Sequence, residues 1–190
     1  MEHEDQVRAR TLAQESVDMY RRLGDEGGIG RALWGLANTF YFFGDFAGGI
    51  VVANEALEIF RRRDDRFMIA WTLYMLGLYH LTIDQSLMRR ELEEALPLFT
   101  GIEDKSGYAL IFDAFAALHW IQGDVPRALR LAGYASATEA STGTGLARIN
   151  RESASFYPEN LTTDPELAAA FAEGQHLTVE EATELALGRS

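Results

Sequence analysis

The sequence predicts an all-α protein assembled from stacked helical pairs, and three observations carry that prediction. A short stretch recurs as Glu15-Ser16-Val17-Asp18-Met19-Tyr20, Glu55-Ala56-Leu57-Glu58-Ile59-Phe60 and Glu94-Ala95-Leu96-Pro97-Leu98-Phe99. Each copy closes on an aromatic that is followed five residues later by an Asp: Asp25, Asp65 and Asp104. The copies stand 40 and then 39 residues apart, a period at which one helical pair leaves an apolar face for the next to cover. Between the copies a second template repeats. Leu33, Leu36, Ala37 and Phe40 correspond to Leu73, Leu76, Gly77 and His80, and then to Phe112, Phe115, Ala116 and His119. The pattern is two large apolar residues, a small one and a ring at helical spacing, the small residue admitting a close neighbour. Third, Gly44-Asp45 and Gly123-Asp124 punctuate the first and third copies, and Asp84 stands at the shortened turn of the middle one.

Composition bounds what such a protein does. With 190 residues and 47% hydrophobic content, the chain is long enough to bury a core as one domain. A formal net charge of −12 repels phosphate backbones and anionic lipid, so nucleic-acid and membrane binding by this chain are disfavoured. The absence of Cys rules out a disulfide framework, thiolate chemistry and Cys-based zinc sites. No apolar run approaches the roughly 18 residues of a transmembrane helix, and residues 1–20 are charged throughout, unlike a signal peptide. These features predict a soluble cytoplasmic protein that needs no cofactor.

Taken in order, residues 2–24 form a helix whose apolar stripe runs through Val7, Leu12, Val17 and Tyr20, stopped by Gly24-Asp25-Glu26-Gly27-Gly28. First helices of about 29–43 and their counterparts alternate with second helices of about 46–62, 86–101 and 125–140, each preceded by an Asp suited to cap it. The resulting units span about 27–63, 66–102 and 105–140. After Ala140, Ser141-Thr142-Gly143-Thr144-Gly145 breaks the chain, and a short helix at 146–156 and Pro158 follow. Asp164-Pro165-Glu166 starts another helix, and Thr178-Val179-Glu180-Glu181 is a capping box for the last one. Residues 141–190 form a C-terminal helical cap in this scheme. Asn160-Leu161-Thr162 matches a glycosylation acceptor by chance, since no secretion signal accompanies it.

These positions resemble a tetratricopeptide repeat: Ala37, Gly77 and Ala116 at its glycine position, Gly44 and Gly123 at its turn, Gly49 and Ala128, then Ala56 and Ala135, at the small positions of its second helix. The period of 39 or 40 exceeds the usual 34. The run from Phe171 to Gly174, followed by Leu177 to Ala182, resembles the C-terminal end of large actinobacterial ATPase-type transcriptional regulators, as do the repeats before it. That resemblance covers nearly the whole chain and implies a TPR-like antiparallel helix-pair solenoid. Residues 2–24 then read as a second helix without its first, which leaves an apolar face uncovered and leads us to expect a homodimer through the N-terminal half unit.

The resemblance also implies a site. The first-helix face turned away from its own partner lines the concave groove of tetratricopeptide arrays, and here it carries Arg31, Trp34, Asn38 and Tyr41, then Trp71 and Tyr74, then Asp113 and Trp120. All three tryptophans fall on it, and aromatic rings with one polar edge suit capture of a peptide or small molecule. The competing expectation is that the helices after residue 145 bury this stripe as core. Other motifs reduce to structure. Gly24 to Gly30 lacks the Lys or fixed Gly spacing of a phosphate loop. His80 and His119 share a position with Phe40 and read as packing rings. Glu93-Glu94 and Glu180-Glu181 have no nucleophile beside them, and Arg61-Arg62-Arg63 complements a helix C-terminus. The sequence therefore predicts a non-catalytic protein-protein interaction or effector-sensing module, the tail of a multidomain transcriptional regulator. A stand-alone small-molecule-binding protein with an aromatic-lined cavity is the alternative.

Overall fold

A computed structural model describes residues 2–102, 104–143 and 164–189, and among them every regular element is a helix. These are α1 (Glu2–Leu23), α2 (Glu26–Phe42), α3 (Phe46–Arg62), α4 (Arg66–His80), α5 (Gln85–Gly101), α6 (Lys105–Ile121), α7 (Val125–Thr142), α8 (Pro165–Gly174) and α9 (Val179–Ala186). The helix expected at 146–156, Pro158 and the Asn160-Leu161-Thr162 sequence lie outside the described residues.

Aspartates set the starts. Asp25, Asp45, Asp65, Asp104, Asp124 and Asp164 cap α2, α3, α4, α6, α7 and α8, each carboxylate accepting from backbone N–H groups of the first turn. Asp84 Oδ1 does the same for α5 through the amides of Ser86 and Leu87. A cap of this kind satisfies donors that have no partner inside the helix and stabilises it by about 1 kcal/mol. The helices before the starts at Asp25, Asp45 and Asp124 end in left-handed glycines, Gly24, Gly44 and Gly123, and Asp64 takes the same conformation at φ 51° before Asp65, where no glycine is available.

The turn before α2 is shorter than the glycine content suggests. Only Gly24 belongs to it. Gly27 and Gly28 lie inside α2 and are buried, because Asp25 already caps the helix and the Tyr20 ring fills the space over Gly28.

The helices pack in two compact groups, residues 1–91 and 92–190. In the first, α1 packs on α2, α2 on α3 and α4, and α3 on α4. The buried side chains are those of the repeat template: Leu33, Leu36 and Ala37 from α2, Ala53, Ala56 and Phe60 from α3, Leu73 and Leu76 from α4. Gly49 of α3 receives the ring of Tyr79, whose hydroxyl donates to the Ala37 carbonyl. Exposed ion pairs tie α1 and α3 to their neighbours: Arg10 to Asp45 at 3.2 Å, Arg21 to Glu55 at 2.7 Å and Arg62 to Glu26 at 2.8 Å. In the second group α6 packs on α7, α7 on α8, and α9 on both α6 and α7. Phe112, Phe115, Leu118, Leu129, Leu131 and Ala135 are buried there, and the Phe99 ring lies over Gly107.

The stripe expected on α1 divides. Val17 is buried and Tyr20 meets Gly28 of α2, whereas Val7 and Leu12 are exposed. Val7, Leu12 and Val17 are five residues apart, and at 100° per residue that step turns the helix well away from the starting face. Ala13, Val17 and Tyr20 form the line that faces α2.

Candidate functional site

The first-helix stripe is laid out by helical spacing alone. On α2, Arg31, Trp34, Asn38 and Tyr41 succeed one another at three, four and three residues, and on α4, Trp71 and Tyr74 are three apart, so each set lies along one side of its helix. α2 and α4 pack together, and the Arg31 guanidinium lies 3.9 Å from Asp65, the cap of α4.

Trp34, Trp71 and Trp120 are all partly exposed. Trp34 and Trp71 belong to the first group of helices and Trp120 to the second. Tyr74 and Asp113 are buried and have little surface to offer a ligand. Tyr74 instead supports Trp71 edge-on at 6.2 Å. Arg31 is exposed. Asn38 Nδ2 donates to the Trp34 carbonyl one turn back at 2.8 Å, which leaves its amide oxygen as an acceptor on the stripe. The indole Nε1 of Trp34 is covered and meets no acceptor among the described residues, a donor whose burial costs about 1–3 kcal/mol.

Sequence reasoning missed two aromatics. Phe67 is exposed and lies 6.1 Å from Trp71. Phe46, at the start of α3, stacks on Tyr41 at 5.9 Å and meets Tyr79 edge-on. The run Phe40-Tyr41-Phe42-Phe43 signals this cluster, because four consecutive aromatics cannot all face one core. Burial pushes the Tyr41 phenol above its ordinary range, and like any phenol it is a neutral hydrogen-bonding group at physiological pH.

No protein-family model matches the chain, and no curated protein matches its sequence. Among the described residues no group of three or more His, Asp or Glu could hold a metal ion, and no helix is long and apolar enough to cross a membrane. His80 and His119 are both buried, His80 Nδ1 against Glu91 at 2.8 Å and His119 Nε2 against the Ala186 carbonyl at 3.0 Å. Both rings act as packing groups, each held by a polar contact. Arg62 is committed to Glu26, and the Arg63 guanidinium lies beside Gly27. Glu181 closes the capping box of α9 with Thr178.

Proposed function

We propose that this chain is a non-catalytic interaction or effector-sensing module of tetratricopeptide type, the tail of a multidomain transcriptional regulator. Its ligand in this reading is an extended peptide held on the outer sides of α2 and α4. The observation that carries the reading is the partial exposure of Trp34 and Trp71 on neighbouring helices, with polar groups from Arg31, Asn38 and Tyr41 along the same line. Large aromatic surfaces left half open in this way gain affinity by burying apolar area, while the polar groups set orientation. The repeat template supports the family assignment, and a role without chemistry fits the described residues, among which no acid, base and nucleophile are seen to converge.

Selection of displayed peptides against the intact chain tests this. Peptides so obtained are expected to quench tryptophan fluorescence, and Trp71→Ala to weaken them by about 2 kcal/mol, as for a central aromatic anchor. Stability is expected to fall by less than the roughly 3–5 kcal/mol of a core aromatic. Loss of stability of that full size, with no selected peptide sensitive to Trp34 or Trp71, sinks the proposal. An ATPase and a DNA-binding region encoded upstream in the same reading frame would support the regulator assignment.

A further inference from the structure

The second group of helices holds a cavity of about 600 Å³, walled by the end of α5, the first turns of α6 and α9, a size suited to a small molecule. The residues described around it are distinct from the stripe on α2 and α4. Thr100, Tyr108, Val179 and Thr183 are half-buried and form its floor. The hydroxyl donors there are already spent on backbone: Tyr108 on the Thr100 carbonyl at 3.2 Å, Thr183 on the Val179 carbonyl at 2.7 Å and Thr100 on the Pro97 carbonyl at 3.1 Å. The rim differs. Lys105, Glu180, Glu184 and Arg189 are exposed around the opening, and no ion pair joins any of these four to another described residue. Neighbouring charges in the same group are committed, Arg127 to Asp124 at 3.2 Å and Arg130 to Glu173 at 2.7 Å. Glu180 and Glu184 stand one turn apart on α9, where two like charges oppose the helix unless a cation answers them.

We propose that this cavity binds a zwitterion, a free amino acid or a dipeptide with an apolar side chain. Its ammonium is held by Glu180 and Glu184, its carboxylate by Lys105 and Arg189, and its side chain lies on the Tyr108 ring and Val179. The two cations and two carboxylates of the rim sum to zero charge, so a ligand of one sign would leave the opposite pair unanswered. A molecule carrying both signs meets all four, through hydrogen bonds about twice as strong as those between neutral groups. A floor whose hydroxyl donors are spent offers little to a side chain that accepts hydrogen bonds, and so favours an apolar one.

Calorimetric titration of the full chain with L-phenylalanine and with L-leucyl-L-phenylalanine tests the proposal. At least one is expected to bind saturably with a Kd below about 1 mM, the tighter of the two showing whether the site takes one residue or two. Phenethylamine and phenylpropionate, each lacking one of the charges, are expected to bind at least about tenfold more weakly than L-phenylalanine. Lys105→Gln is expected to weaken L-phenylalanine several-fold and leave phenethylamine unchanged, and Glu184→Gln to weaken L-phenylalanine and leave phenylpropionate unchanged. Arg189→Gln, beyond the last helix, serves in place of Lys105→Gln if the latter lowers the melting temperature. No saturable binding of either zwitterion up to about 10 mM overturns the proposal. So does binding indifferent to both charge substitutions, and so does phenylpropionate or phenethylamine binding as tightly as L-phenylalanine.

Discussion

Tyr20 on Gly28 and Phe99 on Gly107 are joints in which an aromatic ring fills the space a side chain would take. α7 and α8 meet differently. A Cβ on Gly133 would overlap the carbonyl of Phe171, and one on Gly174 the carbonyl of Arg130, so these helices touch backbone against backbone. The first kind of joint has an element that can move, and the second has none. What the difference teaches is that similar helix-to-helix adjacency can rest on replaceable or on irreplaceable contacts, and glycine substitution distinguishes them.

The largest effect is expected at the joint without play. Gly174→Ala, or Gly133→Ala, forces α7 and α8 apart and is expected to cost about 3 kcal/mol, the upper end for overpacking, read by denaturant titration. Gly107→Ala comes next, at about 2 kcal/mol, because the Phe99 ring it meets is fully buried and can yield only by pressing on its neighbours. Gly28→Ala is expected to cost about 1 kcal/mol, since Tyr20 is only partly buried and its ring can swing outward. Tyr20→Ala is expected to remove that cost, as a double-mutant cycle would report. An equal loss at Gly28 and Gly174 would break the comparison.

A pH experiment sharpens it. Tyr79 is fully buried over Gly49, and burial first, then the Asp45 charge, raises its phenol above the ordinary value of 10.0. Below that value both folded and unfolded chains hold the proton. Above it the unfolded chain releases the proton while the folded chain retains it, so stability is expected to fall as pH rises past about 10. Tyr79→Phe, which keeps the ring and loses the hydroxyl, should flatten that alkaline limb, and urea midpoints between neutral and alkaline pH would show it. The smallest effect carries the opposite sign. Gly35 lies in α2 with open space where its Cβ would stand, and Gly35→Ala is expected to stabilise by about 0.5–1 kcal/mol through helix propensity alone.

Much of this was legible in the amino-acid order. Capping aspartates announce themselves by preceding an apolar period, and the starts after Asp45, Asp84, Asp124 and Asp164 follow from that chemistry, whereas Asp25, Asp65 and Asp104 stand out in the sequence only as markers of the repeat. The template of large, large, small and ring identified Leu33, Leu36, Ala37 and Phe40 as interior because burial selects for one helical face. What the order could not show is which partner each side chain meets. Gly27 and Gly28 look like turn residues until the Arg63 guanidinium is seen beside the first and the Tyr20 ring over the second, and nothing near Gly133 or Gly174 in the chain signals that they face backbone across a helix crossing. On the candidate site, helical spacing places Trp34, Trp71 and Trp120 and all three are partly exposed, but the burial of Tyr74 and Asp113 depends on neighbours distant in sequence.

Asp45 uses both of its oxygens: Oδ1 accepts from the Gly48 amide at the start of α3, and Oδ2 meets Arg10 of α1, whose guanidinium also lies 3.8 Å above the Phe40 ring. One carboxylate thus belongs at once to a helix start and to a contact between helices that are not consecutive. Local opening of either should release the other. Amide protons in the middle of α1 and in the first turn of α3 would then share an exchange rate, as a single breathing unit that crosses the boundary between one helical pair and the next.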